Sequence, residues 1–451
     1  MTACVDSVVD KKKLFKEILL FSLPLILTGI LQLVYNAADM IIVGRLDGYQ
    51  AMGAVGSTAP LINLIIMAFI GLSVGSLSAT ARAIGAKDKE FSFKVVHTSI
   101  PLSLISGVVV GIIGFFLSEK LLVLMKSPPS ILPLSTKYLK VYFLGMPFTM
   151  LYNFGSAILK ANGDSKRPLI ILAISGIINV LLNYAFVAWA HLGVVGVAIA
   201  TVVSLVISAT AVLILLLKES GYVQFIFKKM AIYPDALKEI IHIGLPSGLQ
   251  SVCFSFANVF LQSYINSFGD VTVAGNSAAS SVEGFVYTSL NAISQATLTF
   301  ASKSYGEKNL KKIDLVLKQS FVLQIVATVV IGAIVLLFSN QLLSLYNGDL
   351  AVIEVGKKRM IIIVSTYFLC GIMESFVGAI RGMGYSVVTM ITAIFGACGL
   401  RIAWVVISFL IVQDILMVYL SYPISWALII IVHYITYIIV RKKVKESFEK
   451  E

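Results

Sequence analysis

The stretch Phe15–Gly48, FKEILLFSLPLILTGILQLVYNAADMIIVGRLDG, decides how the chain is read, because a run apolar enough to cross a bilayer carries one carboxylate, Asp39, near its far end. A bilayer core takes about 20 apolar residues as helix. An acid within it costs roughly 2.5–3.5 kcal/mol on insertion scales, so Asp39 marks a functional site whose partners must be found. Tyr35 lies one helical turn before Asp39 and Asn36 three residues before it. That spacing is expected to turn hydroxyl, amide and carboxylate into one cavity. The competing reading is an interfacial Asp at a helix end, touching headgroups.

Composition carries the membrane reading to the whole chain. Its 451 residues are 58% hydrophobic and 13% charged, with a mean hydropathy of +0.94, which excludes a soluble globular or a disordered protein. The net charge of +12 does not imply a nucleic-acid partner, since the basic residues sit in short loops between apolar runs. The amino end, MTACVDSVVDKKKLFKE, leads into a run too long for a signal-peptide core, so it reads as a retained first span. Cys4, Cys253, Cys370 and Cys398 show neither metal nor disulfide spacing.

Cutting at charged and Gly/Pro-rich breaks gives twelve spans: 14–43, 53–81, 95–117, 138–160, 168–190, 194–217, 238–267, 273–302, 315–338, 357–380, 387–411 and 415–440. With both termini inside, Lys and Arg divide 26 to the cytoplasmic side against 8 outside, the latter including Lys126 and the cluster Lys357, Lys358 and Arg359, with Arg401 left within a span. The polar stretch at 218–237 separates six spans from six, giving an amino-terminal lobe at 1–217, a cytoplasmic linker, and a carboxy-terminal lobe at 238–451. The halves repeat: Pro24 and Pro246 stand 222 residues apart, as do Gly53 and Gly275, and with a one-residue slip Gly85 matches Gly306 and Gly163 matches Gly384. The expected fold is an all-α integral membrane protein of twelve transmembrane helices in two pseudo-symmetric six-helix lobes, a parallel repeat.

Polar residues inside the spans need partners or a wet cavity. Asn179 and Asn183 share one face of the fifth span, and Thr201 lies in the sixth. Singly, such groups read as interhelical hydrogen bonds; with Tyr35 and Asp39 they read as one polar pocket. In the second lobe the repeat position of Asp39 is Leu261, and the carboxylates are Glu283 and Glu374. Arg401 is expected to pair with Glu374, Glu283 or both, as a helix lock or a proton relay. HExxH, GxSxG, a phosphate loop and paired catalytic carboxylates are absent.

In order along the chain, Pro24, Asp39, VGRLDG (43–48), AMGAVG (51–56), GLSVGSLSATARAIGAKD (71–88), LKANGDSKRP (159–168), LGVVGVAIAT (192–201) and AIRGMGYS (379–386) resemble the multidrug and toxic compound extrusion (MATE) transporters over essentially the full length. The resemblance implies exchange of an organic, often cationic or amphiphilic, solute against inward sodium or protons. It also implies a cation-responsive pocket in the first lobe, at Tyr35, Asp39, Asn179, Asn183 and Thr201. Two departures are visible. Many relatives place a second acid where Asn183 stands, and many carry a seventh-span Glu where this chain has Phe254. The chain is therefore similar to the bacterial branch that lacks the seventh-span Glu.

The expected function is a cation-coupled antiporter exporting organic drugs by alternating access, with no enzymatic activity and no cofactor beyond the coupling ion, H+ or Na+. Asp39 takes the ion, Tyr35, Asn36, Asn179, Asn183 and Thr201 surround it, and Pro24 bends the first span by removing a helix hydrogen bond. No metal site is expected except sodium at Asp39, and one acid leans to protons. The expected setting is a monomer in the cell (plasma) membrane, with both termini cytoplasmic and lipid and small organic solutes as partners. The rivals are a flippase for a lipid-linked saccharide, which tends to need a basic cavity, and a polytopic membrane enzyme or receptor.

Overall fold

The computed structural model describes residues 10–125, 127–346 and 348–450. Cys4 and Lys126 lie outside them. Every regular element among the described residues is helical: α1 (Lys11–Leu46), α2 (Tyr49–Gly85), α3 (Lys89–Leu124), α4 (Leu132–Leu144), α5 (Met146–Ala161), α6 (Lys166–Tyr184), α7 (Gly193–Lys218), α8 (Pro234–Asn266), α9 (Asp270–Gly306), α10 (Leu310–Leu337), α11 (Ser339–Ser344), α12 (Leu350–Gly382), α13 (Ser386–Ala393), α14 (Arg401–Ile411) and α15 (Ile415–Lys450). Two π-helical segments, Ala185–Trp189 and Ile394–Leu400, continue α6 and join α13 to α14.

Ten helices among the described residues are long and apolar enough to cross a membrane. The other two of the twelve sequence spans depart for physical reasons. The span at 138–160 breaks at Gly145 into α4 and α5, each too short alone. The span at 273–302 is the 37-residue α9, whose many Ser, Thr and Asn residues lower its hydropathy.

The repeat is written into the turns. Gly48 and Gly269 precede α2 and α9 with φ of 89° and 88°, Lys87 and Lys308 adopt 57° and 53°, and Gly163 and Gly384 adopt 88° and 96°, each pair 221 residues apart. Asp88 caps α3 by accepting from Phe91 N at 2.9 Å, and Asn309 caps α10 by accepting from Lys312 N at 2.9 Å. Capping of this kind satisfies an orphan donor of the first turn.

Contacts group the residues into two units, Leu27–Phe256 and a second made of the chain up to Ile26 with Ala257 onward. These units do not follow the chain-order division at 217 and 238. In the second unit, Leu14, Ile18, Phe21 and Leu25 of α1 enter a core with Ala292, Ile293 and Ala296 of α9 and Val316 of α10. Gln319 Nε2 donates to Lys11 O there at 2.6 Å.

In the first unit, Ala236 and Ile240 of α8 pack on Ala79 and Val95, and Arg82 pairs with Glu239 at 2.5 Å. The segment between α7 and α8 is pinned to α3. Ser92 Oγ donates to Tyr222 O at 2.7 Å, Ile226 N donates to His97 Nε2 at 3.0 Å, and Tyr233 N donates to Thr98 Oγ1 at 3.0 Å. Glycine brings α2 and α8 into backbone contact: a Cβ on Gly71 would meet Gly248, and one on Gly75 would meet the carbonyl of Ile240. Small residues at helix crossings permit such approach.

Candidate functional site

Within the first unit, α1, α6 and α7 assemble a polar pocket. Asp39 is buried, at 8% exposure. Asn183 Nδ2 donates to Asp39 Oδ1 at 2.5 Å and lies 3.1 Å from Asn179 Oδ1. The amide of Asn179 has two orientations with partners. In one, Nδ2 donates to Thr201 Oγ1 at 3.4 Å; in the other, the nitrogen donates to Asp39 Oδ1 at 2.9 Å and the oxygen accepts from Thr201 N at 3.3 Å. The i, i+4 spacing of Asn179 and Asn183 sets both amides on the face of α6 turned to Asp39. Thr201 Oγ1 in turn donates to Val197 O at 3.0 Å.

The pocket keeps unused acceptors. Asp39 Oδ2 takes no hydrogen bond among the described residues, and Asn183 Oδ1 is a buried acceptor with no donor. A buried carboxylate is neutralised by a proton or by a bound cation. The oxygens of Asp39, Asn179, Asn183 and Thr201 are the set that could hold sodium. No group of three His, Cys, Asp or Glu suited to a metal ion occurs among the described residues.

Not every predicted residue joins. Tyr35 turns to α6, its hydroxyl donating to Ala173 O at 3.1 Å and its ring filling the space where Gly176 lacks a Cβ. Asn36 is exposed and makes no hydrogen bond among the described residues. Tyr35 and Asn36, one residue apart, lie 100° from each other about α1, and the long Tyr35 side chain reaches past the Asp39 side chain to the α6 backbone at Ala173. Pro24 sits within the unbroken α1. Sequence reading missed Tyr138 and Tyr142 of α4, whose phenols lie within electrostatic reach of Asp39 and whose rings stack at 6.0 Å. Their i, i+4 spacing was the available signal, though it is equally the pattern of a packed apolar face.

In the second unit the expected pairing of Arg401 is overturned. Glu283 is held by Arg359 instead, with Nε to Oε1 at 2.9 Å and Nη2 to Oε2 at 2.7 Å. Arg359 Nη1 also donates to Asn276 Oδ1 at 2.5 Å. The sequence placed Arg359 among the outer loop charges with Lys357 and Lys358. One residue beyond exposed Lys358, the helix turns Arg359 inward, where it is buried. Glu374 takes a hydrogen bond from Ser294 Oγ at 3.3 Å and does not reach Arg401.

Arg401 is buried at 4% exposure. Its Nε and Nη2 donate to Ser425 Oγ at 3.2 and 3.1 Å, and its Cζ lies 4.3 Å from the Tyr422 ring and 6.0 Å from that of Trp426. The other guanidinium, Arg359, stands 5.6 Å from the same Tyr422 ring. A desolvated cation–π contact contributes about 2 kcal/mol, whereas burying an ion costs several kcal/mol. The rings alone leave the charge under-compensated.

A carboxylate held by amides among bilayer-length helices, in a bundle built twice over, defines a multi-pass membrane transporter. The family model MatE matches residues 24–185 and 246–407. The chain belongs to this family, the multidrug and toxic compound extrusion transporters, and is not an enzyme. It is 27% identical over 442 residues to the probable multidrug resistance protein YoeA of Bacillus subtilis, covering 96% of each chain. It is 28% identical over 389 residues to the probable multidrug resistance protein NorM of Thermotoga maritima, covering 83% of this chain and 82% of that one. Among solved structures, one described as the outward-facing conformation of a multidrug resistance MATE family transporter superposes with a TM-score of 0.90 at 26% identity, covering 96% of this chain and 97% of the other. A transporter of Pyrococcus furiosus, described as having a binding pocket of reverse polarity, superposes at 0.89 with 25% identity, covering 96% and 97%.

Proposed function

We propose that this protein exports small organic solutes, cationic or amphiphilic, across the cell membrane by alternating access, in exchange for an inward ion taken up at Asp39. The observation that carries this reading is the Asp39 carboxylate itself: buried, bonded through Oδ1 to Asn183 at 2.5 Å, and open at Oδ2. An ion drives the cycle only by binding one state better than the other, since equal affinity for both shifts nothing. Neutralising Asp39 changes what its amide neighbours can offer it, which is how ion binding would bias the packing of α1. Pro24 serves that change by freeing a backbone carbonyl within α1. The names of the relatives support drugs as cargo, and the Lys and Arg bias supports cytoplasmic termini.

The coupled ion in this reading is the proton, because the pocket holds one carboxylate. Sodium is the second reading, favoured by the buried, donor-free Oδ1 of Asn183. Efflux of a fluorescent cation from proteoliposomes, with proton and sodium gradients imposed separately, tests both. Efflux driven by the proton gradient alone is expected. Efflux driven by sodium alone replaces the ion assignment, and movement only of labelled lipid overturns the exporter reading.

A further inference from the structure

The segment that follows α7 is fixed to α3 at two points of nearly equal depth. Ile226 N donates to His97 Nε2 and Tyr233 N donates to Thr98 Oγ1, each at 3.0 Å. Residues 95–118 of α3, between Lys94 and Glu119, are 24 positions without Asp, Glu, Lys or Arg. They make about 36 Å of helix, against a hydrocarbon core of about 30 Å. His97 and Thr98 stand three and four residues after Lys94, in the first turn of that stretch and so at the boundary between headgroups and acyl chains. Residues 227–232, held between the two pins, therefore run along that boundary rather than out into water.

Their side chains match the boundary. Phe225 is 1% exposed and packs in one cluster with Val96 and Ile100 of α3, whereas Phe227 is 58% exposed, and Met230 and Ile232 are exposed as well. Lys228 and Lys229 lie among them, both exposed. The acids nearby are already engaged: Lys94 holds Glu90 at 3.0 Å and Asp235 at 3.4 Å, and Arg167 holds Glu219. Lys228 and Lys229 enter no ion pair among the described residues, and the Lys229 ammonium stands 5.7 Å from the Phe93 ring. Exposed apolar side chains interleaved with lysines are what an anionic lipid surface binds. The face of α3 next to the segment continues in kind, since Ile105 and Ile112, seven and fourteen residues beyond Thr98, are exposed on the same side. A soluble partner would meet the headgroups first, so the depth of the two pins favours lipid.

We propose that the segment between α7 and α8 is an interfacial anchor for anionic lipid: Phe227, Met230 and Ile232 enter the boundary between headgroups and acyl chains, and Lys228 and Lys229 bind the anionic headgroups. The anchor ties the connection between α7 and α8 to the leaflet beside it. It stands independently of the exporter reading above.

The test places a reporter in the segment of the full-length protein. Phe227→Trp is reconstituted in vesicles of equal phosphatidylcholine and phosphatidylglycerol, with bromine near the headgroup end of the chains of one lipid or of the other. The wild-type emission is subtracted to remove the native tryptophans. The added tryptophan is expected to emit at shorter wavelength than in water and to be quenched by bromine. Each lysine near an anionic surface strengthens association about fivefold, so brominated phosphatidylglycerol is expected to quench at least about five times as strongly as brominated phosphatidylcholine. In Phe227→Trp carrying Lys228→Gln and Lys229→Gln that ratio should fall to about one, and about 0.5 M salt should lower it in the parent through screening. Ile232→Trp, read in the same way, serves where Phe227→Trp does not fold. A water-like emission that neither brominated lipid quenches places the segment off the membrane and overturns the proposal. Equal quenching by both lipids, or a preference that survives loss of both lysines, overturns the assignment of the lysines to anionic headgroups.

Discussion

Arg359 grips Glu283 through both carboxylate oxygens, at 2.9 and 2.7 Å, with the two side chains 5% and 4% exposed. Both charges are out of water, so neither can lose the other without being left as a bare ion. Glu283→Gln should therefore destabilise the protein by about 3–5 kcal/mol, the range for breaking a buried pair. Replacing both residues by Met should recover most of that loss. Unfolding in detergent micelles checks both; a neutral Glu283→Gln would mean that water reaches the pair.

Asp39 and Asn183 meet at 2.5 Å across α1 and α6. Asp39→Asn preserves size and shape while removing the group that takes up the ion. Gradient-driven efflux is expected to fall to the uncoupled leak, with the melting temperature moving by less than about 3 °C. Drug resistance at the wild-type level in cells carrying this variant would sink Asp39 as the coupling residue.

Gly75 faces the Ile240 carbonyl so closely that a Cβ must displace backbone, whereas a Cβ on Gly284 would meet nothing within 4 Å. Gly75→Val is expected to lower the melting temperature and to impair transport by parting α2 from α8. Gly284→Ala, inside the helix α9, is expected to raise stability by about 0.5–1 kcal/mol. Paired melting curves of the two variants provide the comparison.

His97 Nδ1 is 2.8 Å from Phe93 O, and Nε2 accepts from Ile226 N at 3.0 Å. These contacts assign the proton to Nδ1 and make the imidazole a clamp on the segment that follows α7. His97→Ala should release that segment. Limited trypsin digestion at Lys228 and Lys229 is expected to become several-fold faster; an unchanged cleavage rate would show that Ser92 and Thr98 suffice to hold it.

Spans, duplication and the grouping of Asp39 with Asn179, Asn183 and Thr201 were legible in the chain itself, whereas the expected places of Tyr35 and Asn36 beside them were not. Length of apolar runs, the 3.6-residue period and the position of Lys and Arg are local properties that a bilayer enforces on any sequence. The pairing of Asp39 with Asn183 could be anticipated because both had to be satisfied within one lobe. Partner choice in the second lobe could not. Glu283 had Arg359 and Arg401 to choose between, and only the rotation of α12 brings Arg359 inward and gives it the acid. The division of α1 and α8 between two contact units was likewise hidden, since it depends on which core receives Leu14, Ile18 and Phe21 or Ala236 and Ile240. Tertiary packing decided what the sequence left open because hydrocarbon admits every apolar face equally, while a buried charge accepts only the partner that geometry brings within reach.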